Sequence, residues 1–207
     1  LMSHLEDDYL CWYEMAVGKK RRYSDFIILH PLRGILLIEV KDWKLESIQS
    51  GDRLSFRILT SKGPKSLTNP VEQARQCAHA LVSQLQSDPL LVEEKGQYQG
   101  KLICPWGYGV VFSNIFRNQY QSYDFSDVIP EHMVICRDEM TESVEVEEFQ
   151  ERLWQMFNRS FPCQLTVPQR DRIRWHIFPE IRIIQPSLFD NTFNFKQNND
   201  FSLEETL

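Results

Sequence analysis

Phe26-Ile27-Ile28-Leu29 and Ile35-Leu36-Leu37-Ile38 are unbroken apolar runs on either side of His30-Pro31-Leu32-Arg33-Gly34. Aliphatic runs without polar alternation mark strands covered on both faces, because neither side meets water. The short connection makes the two an antiparallel hairpin, whose second strand runs from Ile35 to Lys41. A first strand is predicted over Tyr9 to Val17, stopping at Gly18. A peripheral hairpin is predicted from Leu45 to Gln49 and Leu54 to Leu59, around Ser50-Gly51-Asp52-Arg53.

The period then changes. Asn69-Pro70-Val71-Glu72 combines a favoured N-cap, proline at the first helical position and a glutamate placed for a capping box. Val71, Ala74, Ala78, Leu81, Val82 and Leu85 follow at helical spacing, and the helix ends before Asp88-Pro89. Gln73 flanks this stripe in the first turn. Further strands are predicted at Leu102-Ile103, Gly109 to Phe112 and His132 to Cys136, and a second amphipathic helix from Val144 to Phe157. Strands, helix, strands, helix is the order of an α/β or α+β domain built on a mixed sheet. The expected division is a main domain over 1–160, a final strand or connector over 161–186, and an extended arm or linker over 187–207, where the chain turns polar and loses periodicity.

A chain of 207 residues, 42% hydrophobic and 12% aromatic, can bury one sizeable core. The formal net charge of −6 excludes a uniformly basic nucleic-acid sleeve, but not a local basic face. Five scattered cysteines, odd in number and without a C-x-x-C pair, read as reduced thiols in a cytoplasmic protein and argue against structural zinc. No apolar stretch reaches membrane-spanning length, and no signal peptide is visible. Leu1-Met2-Ser3-His4 does not read as a natural start, so the expectation is a piece of a longer chain.

Against this background, Glu39-Val40-Lys41 stands out. Strand alternation puts Glu39 and Lys41 on one face and Val40 on the other, and Asp25 opens the neighbouring strand. Charges at the margin of a buried sheet are costly unless paired or metal-bound. Asp25 and Glu39, with the Val40 carbonyl, can hold Mg²⁺ or Mn²⁺, while Lys41 orients a water or offsets charge on phosphorus. The tripeptide alone is cheap: Asp42-Trp43-Lys44 and Glu93-Glu94-Lys95 share it. From the residues, metal chemistry and a structural ion pair both stay open.

Ser24-Asp25-Phe26-Ile27-Ile28-Leu29-His30-Pro31, Gly34 through Lys41, and Asn69-Pro70-Val71-Glu72-Gln73-Ala74 together resemble the nuclease-related domain, NERD, of the PD-(D/E)XK nuclease superfamily. The similarity covers roughly Asp8 to Phe157. It implies a restriction-endonuclease-like fold, Asp25 and Glu39 as metal-binding acids, Lys41 as the catalytic lysine, and Gln73 as a helix glutamine facing the site. Many superfamily members carry a further acid on a helix before the first strand; here the nearby glutamates are Glu6 and Glu14. Ile173 to Arg182 resembles a connector that leads, in one subgroup, into a helicase, although this chain has no phosphate-binding loop.

For nucleic-acid contact, Lys44, Lys62, Lys65 and the run Lys19-Lys20-Arg21-Arg22 are candidates for the phosphate backbone; the five tryptophans read mostly as core residues, with Trp43 the one candidate for stacking on an unpaired base. The expectation is a metal-dependent deoxyribonuclease coupled to a helicase. Its rival is a catalytically incomplete nucleic-acid-binding or docking module.

Overall fold

The computed structural model describes residue 5, residues 8–157 and residues 159–180. A five-stranded sheet organises them, in the order β1 (Leu10–Val17), β2 (Arg22–His30), β3 (Gly34–Lys41), β7 (Trp106–Phe112) and β8 (Val134–Ile135). The first three strands form an antiparallel meander, and β7 and β8 then add in parallel. Between β3 and β7 the chain builds a separate antiparallel sheet, β4 (Ile48–Gly51), β5 (Ser55–Thr60) and β6 (Gly63–Thr68), followed by helix α1 (Pro70–Leu85). Helices α2 (Arg117–Ser122), α3 (Val146–Gln155) and α4 (Val167–Ile177) complete the domain. This is the mixed, helix-flanked sheet expected of a nuclease-like fold.

Both faces of the sheet are covered, which explains its unalternated strands. Ile27, Leu29, Ile35 and Leu37 pack against Ala74, Cys77, Ala78, Leu81 and Leu85 of α1. Ile28, Leu36, Ile38 and Val111 pack on the other side against Phe149, Leu153 and Met156 of α3 and its end. Each Ile, Leu, Val, Met or Phe among them contributes roughly 1.5–3 kcal/mol by leaving water. A third cluster, with Trp43, Phe56, Phe112 and Phe125, lies under the small sheet.

The turn between β2 and β3 depends on Gly34, which has φ +101° and whose absent Cβ would lie 2.0 Å from the Pro105 carbonyl oxygen. That contact lets Ile35 N–H donate to Pro105 O at 3.0 Å and sets the β3–β7 register.

Several expectations need correction. The segment 161–186, expected as a final strand or connector, instead contains helix α4, and Leu165, Ile173 and Ile177 join the core beneath α1. The domain therefore extends past residue 160. Glu72 makes no capping box; it pairs with Arg75 at 2.7 Å, while the Asn69 N–H donates to Leu54 O. Leu102 forms only an isolated bridge with Val92, and β6 and α2 were not foreseen. Residues 187–207 lie outside the described residues.

Candidate active site

The backbone breaks its own pattern where the charges stand. Pairing of β2 with β3 runs from His30↔Gly34 to Phe26↔Ile38 and stops one step short of Asp25 and Glu39. On the other side, β1 pairs through Tyr13↔Phe26 and resumes at Met15↔Ser24, skipping the Glu14–Asp25 step. In place of a strand carbonyl, the Asp25 carboxylate accepts the Val40 N–H at 2.7 Å. An acid is thus written into the ladder, and the margins of β2 and β3 separate around it.

Alternation places Asp25, Glu39 and Lys41 on the face that carries Ile27, Ile35 and Leu37, beneath α1. The N-cap of α1 fixes the fourth group. Asn69, fully enclosed, accepts the Val71 N–H at 2.9 Å and donates its own amide to Asp52 O at 3.0 Å. The first turn is therefore rigidly seated, and Gln73 hangs from it over the end of β3. Gln73 Nε2 donates to Glu39 Oε1 at 2.5 Å, Lys41 Nζ donates to the same oxygen at 2.5 Å, and Lys41 Nζ reaches Gln73 Oε1 at 3.3 Å. This closed triangle allows only one orientation of the Gln73 amide.

Glu39 is 2% exposed, and its second oxygen, Oε2, has no hydrogen-bond partner. Burial pushes its pKa up to about 7; Lys41 opposes that rise and the nearby Asp25 carboxylate adds to it. A buried carboxylate oxygen without a partner is expensive.

Among the described residues, no group of three or more His, Cys, Asp or Glu side chains is arranged to hold an ion. The fit of a cation therefore rests on two carboxylates. That set suits a small hard ion such as Mg²⁺, which commonly takes one or two carboxylates and fills its shell with water and substrate phosphate. The orphaned Oε2 supplies the free donor such an ion requires. Val40 enters through its backbone alone, since its side chain packs on the α3 face.

The remaining candidates are dispersed. Trp43 is buried against Phe56 and Phe112, with Lys41 Nζ 5.9 Å from its ring centre, so here it is a core residue rather than an open stacking platform. Lys44 is exposed beyond β3, Lys62 in the β5–β6 turn and Lys65 on β6. Among the described residues, none of these three ammonium groups bonds to the four site residues. Glu14 is exposed at the slot facing Asp25, with φ +53°, a conformation that strains a non-glycine residue. A bond to Glu14 first, and its charge and that of Asp25 after it, raise the pKa of the exposed Tyr13 phenol. Sequence reasoning missed Tyr13, which nothing but its place beside Glu14 could have flagged. Glu6 lies outside the described residues.

The thiols take no part in this chemistry. All five cysteines are free, and burial pushes the Cys77 thiol, behind the site, up to about 11. No helix among the described residues is long and apolar enough to cross a membrane.

No curated protein and no solved structure matches the chain. A family model, the nuclease-related domain, matches residues 1–121. That span holds all four site residues, β1 to β7 and α1, whereas β8 and α3, which the sequence similarity had included, fall beyond it. With more than half its length matched and its two acids, lysine and glutamine gathered at one sheet margin, the chain belongs to the nuclease-related domain family.

Proposed function

We propose that this domain is a Mg²⁺- or Mn²⁺-dependent nuclease that hydrolyses DNA phosphodiester bonds at the Asp25–Glu39–Lys41–Gln73 cluster. One observation carries the reading. Glu39 is buried and raised in pKa, yet keeps one oxygen unpartnered beside a second acid and an ammonium group. Asp25 and Glu39 would hold the ion, with the Val40 carbonyl within the same strand end. A bound divalent ion supplies Lewis acidity and makes water a usable nucleophile near neutral pH. Lys41 is placed to orient that water and to offset charge gathering on the phosphoryl oxygens. Gln73 positions Lys41 and Glu39 through its two bonds, and acts on the reaction through them.

Incubating the protein with labelled DNA and Mg²⁺ or Mn²⁺ tests this. Cleavage is expected for the parent, and a loss of about a hundredfold or more for Asp25→Asn and Lys41→Ala. Metal-dependent cleavage that survives both substitutions refutes the assignment.

A second reading, a nucleic-acid-binding module without completed chemistry, draws on the absence of a third ligand side chain among the described residues. Calorimetry separates the two: DNA binding with no Mg²⁺ or Mn²⁺ uptake favours the module. Helicase coupling and cytoplasmic location remain part of the proposal through sequence alone. The stretch compared with a helicase connector supports it less than expected, since Ile173 and Ile177 fold into this domain's own core.

A further inference from the structure

The basic run at the β1–β2 turn is not absorbed by the site, and the fold gives it a definite seat. Gly18 (φ +68°) approaches α1 so closely that a Cβ would lie 2.8 Å from the Ala80 Cβ, and its N–H donates to Gln84 Oε1 at 3.1 Å. The turn is closed by Arg21 N–H to Gly18 O at 3.0 Å. Lys19, Lys20 and Arg22 are thereby held beside the outer face of α1. Together with Arg75, Gln76, His79 and Ser83 they line a groove of about 800 Å³ that contains no acidic side chain.

In a chain of net charge −6, a lining of one sign is a local exception. Among the described residues, Lys19, Lys20 and Arg22 have no acidic partner, whereas Arg75 is shared with Glu72. Unpaired cations tethered to a rigid helix match what a phosphate backbone requires: charge at fixed positions, without base readout.

The groove leads to the site. Arg22 lies three residues before Asp25 on β2, about 10 Å away at strand rise. Gln76 lies one turn after Gln73 on α1. The next residue, Cys77, is buried against β2, its thiol reaching the Tyr23 carbonyl at 3.3 Å, between Arg22 and Asp25 in sequence. From Gln76 to Leu85 the helix adds about 13 Å of length, enough for a few phosphates of one strand.

We propose that this groove, formed by the 18–22 turn and the outer face of α1, carries the phosphate backbone of the nucleic-acid strand that enters the Glu39 site. The proposal rests on the nuclease reading for where the strand leads, and on the lining charge for where it binds. It displaces Lys62 and Lys65 from the principal track.

The test is metal-free binding of a labelled single-stranded oligonucleotide, titrated at several salt concentrations, so that cleavage does not enter. Lys19→Gln/Lys20→Gln is compared with Lys95→Gln/Lys101→Gln, which removes the same charge from exposed positions elsewhere. The first pair is expected to weaken binding about tenfold and to reduce the slope of log affinity against log salt by about 1.4. The control is expected to change affinity less than about twofold. Arg22→Gln alone should reduce the slope by about 0.7, which provides a second, independent substitution. Equal losses in the two pairs, or no binding by the parent, overturn the groove. Preserved binding effects in a protein that never cleaves DNA sink the nuclease reading and leave the groove standing. Cleavage by a parent whose binding ignores Lys19, Lys20 and Arg22 does the reverse.

Discussion

Replacing Glu39 with glutamine should stabilise the metal-free protein above neutral pH while abolishing its chemistry. In the parent, burial lifts the Glu39 pKa from about 4.5 to about 7. An acid whose folded pKa lies above its unfolded one binds its proton more tightly when folded. Stability therefore falls as pH rises from about 4.5 through about 7, and flattens above that. At ~1.4 kcal/mol per tenfold, the ceiling on this loss is ~3 kcal/mol. Glutamine carries no such penalty; the charge-assisted bond from Lys41 that it forfeits exists only where Glu39 is ionised and is already contained in that pKa. The variant should thus be more stable than the parent at pH 8 by ~3 kcal/mol and within ~1 kcal/mol of it at pH 5, a swing of ~2.5 kcal/mol. For a domain of this size that corresponds to a change of about 5–10 °C in the Tm difference between the two pH values. Thermal unfolding followed by circular dichroism reads it directly. Adding Mg²⁺ should raise the parent's Tm and leave the variant's unchanged, because an ion bound only to the folded form adds about 2.7 kcal/mol at one hundred times its Kd. A variant less stable than the parent at pH 8, or a difference that ignores pH, refutes the claim that Glu39 is held at a cost to folding.

Asn69→Ala removes both the cap on Val71 and the amide bond to Asp52 O, and should cost ~1–2 kcal/mol in urea unfolding. Because it loosens the turn that carries Gln73, its effect on cleavage should exceed its effect on DNA binding. Asp88 is buried, which would raise its pKa, but bonds from His176, the Leu90 N–H and Arg172 hold it below the ordinary carboxylate range. Asp88→Asn should cost ~1–3 kcal/mol at neutral pH. That deficit should shrink as pH falls through the folded-state pKa, where the parent loses the same ion pairs; a deficit constant down to pH 2 contradicts it. Gly34→Ala meets the Pro105 oxygen and a left-handed φ together, so more than about 3 kcal/mol should be lost, visible as a collapse of soluble yield and near-ultraviolet dichroism.

The elements most legible in the sequence were those whose signal is local. The β2–β3 hairpin announced itself by uninterrupted aliphatics, and α1 by Asn69-Pro70 and a helical apolar stripe, and both appear within a few residues of the expected limits. What escaped was set by distant contacts. Strand β6, Gly63–Thr68, has little strand character of its own and exists because Phe56↔Leu67 and neighbouring steps pair it to β5. Helix α4 carries hardly any amphipathic pattern and is held by Ile173 and Ile177 beneath α1 and by Arg172 and His176 on Asp88. Trp43 proved to be core, as tryptophans mostly read, but nothing beside it in sequence announces its partners Phe56 and Phe112. Strand alternation did place Glu39 and Lys41 on one face, but only the fold could bring Gln73 down onto both.

That convergence bears on the choice between a structural ion pair and a site. A pair selected for stability would satisfy both carboxylate oxygens, since leaving one bare in a buried position costs more than omitting the charge. Glu39 satisfies one oxygen twice, through Lys41 and Gln73, and leaves the other bare. Beside it, Asp25 interrupts strand pairing on both sides and spends an oxygen on the Val40 N–H. Two acids, each held where sheet pairing and burial oppose it, thus meet at one sheet margin, with Glu39 Oε2 left unpartnered. A buried oxygen without a partner costs folding, and the proposed cation, with its own water shell and a phosphate ligand, would give that cost a use.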